Sequence, residues 1–210
     1  MKLLLHPVYC PDITTFAALA QNQVIWEVED NYQKQTFRNR CYICTDQGKQ
    51  MLTIPIRHVG GRNGRQRYKE VRLENSYRWQ RQHWRTLQTA YRTSPFFEFY
   101  EDDLAPLYER RFEFLLDFNL KVTSSLCDCL RTEMPRGQTA AYDPAPAGLY
   151  DARYLVDAKR ERLPFPMQYH QVFGDRHGFV PHLSILDLLF NLGTTSLMEL
   201  QKYPLTLANG

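Results

Sequence analysis

Asn39 and Arg40 close the stretch QTFRNR, and Tyr32 stands a short way upstream. An arginine offers a planar fork of donors suited to carboxylate or phosphate, and an asparagine both donates and accepts. Together they can hold an anionic, hydroxyl-rich small molecule such as a nucleotide sugar. The alternative is structural: Arg40 pairs with a nearby acid such as Glu29 while Asn39 shapes a turn. His83 stands among Trp79, Leu87 and Tyr91, residues that advance by fours and so share one helical stripe. A histidine in that setting is either a general base tuned by burial and a carboxylate, or a core histidine with one hydrogen bond to each nitrogen.

A third candidate lies in GFVPHLSILDLLFNLG, residues 178–193. Wound as a helix, Ser184, Asp187 and Asn191 fall within a sector roughly 60° wide, with leucine, isoleucine and phenylalanine around the rest. On one reading Ser184 caps the helix, Asp187 completes a capping box, and Asn191 sits near an end marked by Gly193. On the other, Asp187 turns toward a cleft and orients on His83, His182 or Arg40. A carboxylate amid leucines loses hydration and needs a strong donor, which makes Asp187 the foremost carboxylate candidate in the chain.

Other chemistry reads weakly. Cys41 and Cys44 lie on an expected strand, where positions three apart face opposite ways. Cys127 and Cys129 diverge on an expected helix, and His170, His177 and His182 match no ligand motif, so neither a metal nor a cofactor is expected. The stretch 57–72 holds five arginines and one lysine against one glutamate, with three glycines. It is either an anion-gripping loop or a solvated crossover, more mobile over 60–67 than the strands around it. With Tyr68 its single aromatic, it lacks the stacking residues of a nucleic-acid surface.

These residues need a scaffold, and the chain supplies one of ordinary composition. It has 210 residues, 43% hydrophobic and 23% charged, with a net charge of +3, enough for a single domain over 1–210 with a sizeable core. No stretch approaches a membrane span or a signal-peptide core, and five cysteines, an odd number, suit reduced thiols, so a cytosolic (cytoplasmic) protein is expected. Strands are expected over 1–8, 23–30 and 166–173, and a hairpin over 41–56 turning at Asp46-Gln47-Gly48, with 69–75 beside it. Helices are expected over 13–21 with Asp12 as cap, and over 76–94, 112–132, 184–192 and 195–203. Residues 133–148, rich in Pro, Gly and Ala, read as a flexible surface loop. The class is α/β (or α+β), a mixed sheet with packed helices.

Four ordered blocks, NYQKQTFRNRCYI, LTIPI, WQRQHWRTLQTAYRTSPFFEFY and FVPHLSILDLLFNLG, resemble the WbqC-like family of bacterial proteins. The match runs from Pro7 and Tyr9 to the final helices. The resemblance implies a polysaccharide setting, notably O-antigen synthesis, and a candidate transfer of an acyl or aminoacyl group, glycyl by suggestion, onto an amino sugar or nucleotide sugar. The alternative is a non-catalytic protein that binds a glycan precursor or a partner enzyme. The family's aromatic-Asn-Arg falls on Asn39 and Arg40, its histidine after tryptophan on His83, and its Tyr-x-Gln on Gln171. A glutamine often stands in the family at the position of His6, so no role carries to His6, and Cys10 reads as packing. The expectation is one cleft lined by Tyr32, Asn39, Arg40, His83 and Asp187, with Gln171 and His182 at its rim. His83 would be the base and Asp187 its orienter, so Asp187→Asn would harm function more than stability.

Overall fold

The computed structural model describes residues 1–57 and 66–207. Lys2–Leu5 forms β1, with Leu3, Leu4 and Leu5 buried, and the chain turns through Pro7 into α1 (Ile13–Gln21). Asp12 caps α1 by accepting from the Thr15 amide at 2.8 Å, which satisfies a donor the helix itself leaves free. β2 (Gln23–Trp26) then lies parallel to β1, in register from Lys2↔Gln23 to Leu5↔Trp26. β3 (Arg40–Thr45) and β4 (Gly48–Thr53) make the expected antiparallel hairpin, turning at Asp46 and Gln47. The expected neighbour at 69–75 contributes less than a strand. It supplies part of a 3-10 turn at Tyr68–Glu70 and the isolated bridges Ile56↔Leu73 and Arg72↔Phe114.

Three helices follow: α2 (Trp79–Tyr91), α3 (Phe97–Glu109) and α4 (Leu115–Leu130). In α2 the stripe of fours, Trp79, His83, Leu87 and Tyr91, is the buried face. α3 is absent from the elements expected on sequence grounds, and it holds Pro106 in its interior. A proline removes a backbone donor and crowds the preceding turn, which argues locally against a helix. Phe97, Tyr100, Leu104, Leu107 and Tyr108 nevertheless make a buried helical stripe, and α3 packs on α2 and α4. Packing overrides the local objection.

Two very short strands complete the sheet. β5 (Gly137–Gln138) falls within the Pro-Gly-Ala segment and pairs parallel with β2, and β6 (Tyr150–Asp151) pairs parallel with β1. The single-turn α5 (Gly174–His177), then α6 (Ile185–Leu192) and α7 (Ser196–Lys202), finish the chain. Residues 166–173 form no strand. Their alternation serves side-chain bonding instead, since Tyr169 and Gln171, two apart, both reach Asp187.

The class is α/β, with the two strand directions divided between units. The four-stranded sheet, ordered β5-β2-β1-β6, is parallel, and β3-β4 is the antiparallel pair. Among the described residues no helix is long and apolar enough to cross a membrane. α6 packs against α1, α3, α7 and β3, which accounts for its nearly continuous apolar surface. The chain steps from β1 to β2 to β5 on one side, then crosses to place β6 on the other side of β1. Open parallel sheets bind ligands beyond the carboxyl ends of their strands, where the order reverses. Here that place lies off the ends of β1 and β6.

Candidate functional site

The strand ends deliver a cluster of buried charge. His6 follows β1, Glu27 follows β2, Thr139 follows β5 and Arg153 follows β6. Glu27 is fully buried. It accepts from the Glu29 amide and from Thr139 Oγ1, each at 2.9 Å, and from Arg153 Nη1 at 3.3 Å. Arg153 also grips Asp151 with Nε and Nη2 at 2.9 and 2.7 Å and donates to the Asp143 and Pro144 carbonyls. That half of the cluster is saturated.

The other half is not. Arg38, in the turn leading to β3, is fully buried. Its Nη2 donates to Asp30 Oδ2 at 2.7 Å and lies 3.0 Å from His6 Nε2. Among the described residues Nε and Nη1 have no acceptor. A buried guanidinium is tolerable only when paired and hydrogen-bonded, so three N–H groups without acceptors are a deficit. Asn119 holds the Arg38 carbonyl and the Tyr68 hydroxyl, each at 2.6 Å, and Tyr68 donates to the Pro7 carbonyl at 2.7 Å. The guanidinium carbon sits 5.2 Å from the Tyr68 ring centre. Burial drives His6 well below its ordinary pKa, with the Arg38 charge adding to the effect, so its imidazole is neutral at physiological pH.

Arg40 and Tyr32 adjoin this cluster. Burial raises the Tyr32 pKa while the charges of Arg38 and Arg40 pull it back. Arg40 makes no ion pair among the described residues, and its Nε is buried without an acceptor. Glu29, the acid that sequence reasoning offered to Arg40, is taken by Lys69 at 2.7 Å and Arg67 at 3.7 Å. Of the basic stretch 57–72, residues 58–65 lie outside the described residues, and so does most of the segment expected to be mobile. Its later flank is tied down, with the Tyr32 amide donating to the Gln66 carbonyl at 2.8 Å.

The remaining expected residues divide. Asn39 spans both sides of Ile54: its Nδ2 donates to the Ile54 carbonyl at 3.0 Å and its own carbonyl accepts from the Ile54 amide at 2.8 Å. His83 lies against the preceding residue, hydrogen-bonded to the Thr53 backbone, while its Nδ1 meets the Tyr9 hydroxyl at 2.9 Å. Burial lowers its pKa to about 4. Its surroundings are those of a core histidine, edge-on to Trp79 and stacked on Tyr9.

Asp187 makes neither of the arrangements expected for it. Ser184 does cap α6, accepting from the Leu186 amide at 3.2 Å, but its own amide is spent on the Tyr42 carbonyl, so no capping box forms. The expected contact of Asp187 with His83, His182 or Arg40 is also corrected. Its carboxylate accepts from Tyr91 at 2.8 Å, Tyr169 at 2.6 Å and Gln171 at 3.1 Å. Tyr91 in turn accepts from the Cys44 amide at 3.4 Å, which puts Asp187 toward the turn end of β3, about 13 Å along the strand from Arg40. Gln171 is therefore joined to Asp187, while His182 lines a separate pocket beyond α1. The expected cleft resolves into three places. Nothing local in the sequence marks Arg38 as buried or joins it to Asp30 and His6, and only the sheet order identifies the strand ends.

The WbqC-like protein family matches residues 6–160. A similar relative is the uncharacterized protein Rv1507c of Mycobacterium tuberculosis, 30% identical over an alignment of 188 positions that covers 77% of this chain and 80% of the relative. No solved structure matches the chain.

Proposed function

The chain belongs to the WbqC-like protein family, and from that premise we propose that it is a transferase of cell-surface polysaccharide synthesis acting on an anionic amino-sugar or nucleotide-sugar substrate. The transferred group is acyl or aminoacyl, glycyl by the family's suggestion. One observation supports this reading above the others: the buried Arg38 guanidinium, with Nε and Nη1 unpaired, at the ends of a parallel sheet where its order reverses. Arg38 and Arg40 would take the substrate's phosphate or carboxylate, with Tyr32 as a further donor and Asn39 fixing the turn that presents them. His83 then positions the Thr53–Ile54 backbone beneath Asn39. The histidine–carboxylate contact at the strand ends is His6 with Asp30, 3.4 Å apart.

A second reading, a non-catalytic binder of a glycan precursor, is favoured by the enclosure of His83 and by its lack of contact with Asp187. The two readings separate by product mass. Incubation with an amino-sugar nucleotide and a panel of activated acyl and glycyl donors is expected to add the mass of the donated group. Binding without any mass gain across the panel would leave the binding-protein reading.

Arg40→Ala tests the anion site directly. A charge-assisted hydrogen bond is worth about 1.5–3 kcal/mol, so affinity for a sugar phosphate should fall about 10- to 100-fold by calorimetry. Because Arg40 has no ion pair among the described residues, thermal stability should move by no more than about 2 °C. An unchanged affinity would remove Arg40 from the site.

A further inference from the structure

A cavity of about 520 Å³ lies beside Thr14 at the start of α1, within the ~300–1,000 Å³ range of small-molecule pockets. Pro164, Pro166 and Tyr203 line it beside Asp157, Glu161 and Arg162, and Arg160 lies 4.2 Å over the Tyr154 ring. His182 completes it. That residue is held at φ 57°, a left-handed conformation uncommon for residues with side chains and typical of strained functional positions. Its Nδ1 is buried with no partner among the described residues. With Nε2 protonated, a neutral imidazole offers Nδ1 as a free acceptor. Burial, aided by the Arg162 charge, keeps this ring neutral.

The pocket adjoins the arginine cluster. Arg162, on its wall, is paired with Asp12 and lies 4.7 Å over the ring of Phe37, the residue before Arg38. Asp157, also on the wall, bridges to Thr36. We propose that this cavity is a nucleobase subsite. A flat heteroaromatic ring would stack on the Arg160 guanidinium and the Tyr203 side, and place an N–H on His182 Nδ1, with its phosphate leading past Phe37 toward Arg38 and Arg40. An acyl chain would leave Nδ1 unpaired, and a bare hexose has no π-face to lay on the Arg160 guanidinium. The assignment rests on the anion site above, and it selects a nucleotide-linked substrate over a free sugar phosphate.

Calorimetry on the full chain with UMP, CMP, AMP and GMP, each against ribose 5-phosphate, tests it. At least one nucleotide should bind tenfold or more tightly than ribose 5-phosphate. Leu155→Trp, which fills the pocket, and His182→Asn, which tolerates the left-handed backbone, should abolish that preference while ribose 5-phosphate affinity is kept. Circular dichroism confirms that each variant is folded. Equal affinities, or a preference that survives both folded variants, would overturn the subsite while leaving the anion site standing. If ribose 5-phosphate does not bind at all, the anion site fails and the four uncharged nucleosides read the pocket alone. Binding lost in Leu155→Trp supports it, and no binding ends it.

Discussion

Asp187→Ala is expected to lower the unfolding free energy by about 3–5 kcal/mol, because it strands two phenols and an amide in the interior. Asp187 is 1% exposed and serves as the common acceptor for Tyr91, Tyr169 and Gln171. Tyr91 is fully buried between β3 and α6, so its hydroxyl has no water to fall back on. Each unpaired buried group costs about 1–3 kcal/mol, and the excised carboxylate leaves a void besides. Burial raises the Asp187 pKa while the three donors pull it back. The donors therefore only partly offset the loss of hydration.

Asp187→Asn keeps the shape and one acceptor oxygen, and its amide can donate to a phenol that turns to accept. Its cost should be smaller, about 1–2 kcal/mol. Sequence reasoning expected this substitution to harm function more than stability. The contacts argue for the opposite order, since none of the three donors belongs to the arginine cluster. Urea unfolding of both variants checks the point, and a loss under about 1 kcal/mol for Asp187→Ala would mean the three donors find other partners.

Acid should unfold the protein early, and histidine is the cause. His83 has a folded pKa of about 4 against about 6.5 when unfolded. Between those values the unfolded chain takes up a proton that the folded chain refuses, so stability falls as pH drops below about 6.5. The loss from His83 reaches about 2–3 kcal/mol by pH 4.5 and levels off below pH 4. His6, lowered by burial and by Arg38, acts in the same direction. Asp187 opposes them, because its raised pKa lets the folded state bind a proton that the unfolded state would not. The expected result is a clear fall in urea midpoint between pH 7 and 4.5, reduced in His83→Gln. A flat profile would show that His83 is charged or solvated in the fold.

Local sequence determined those elements whose signals lie within a few residues of themselves. α1 follows from its apolar spacing and the Asp12 cap, the hairpin from two alternating runs about Asp46-Gln47-Gly48, and α2 from its stripe of fours. α6 follows from Ser184 at one end and Gly193 at the other. The same reading failed where local and distant forces disagree. Pro106 conceals α3, whose stripe pays only when α2 and α4 cover it, and two-residue strands such as β5 and β6 carry no periodicity to detect. The site divides likewise. The FRNR stretch and Asp187 stand out by residue type, since an arginine-rich turn and an acid among leucines both demand partners. Which partners they have was decided by tertiary structure alone. Asp30 and His6 reach Arg38 because the strand order ends β1 beside that turn, and Tyr91 and Tyr169 reach Asp187 from 96 and 18 residues away. Hydrogen bonds form over about 3 Å of space whatever the distance along the chain, so residue types reveal the need and only the fold reveals how it is met.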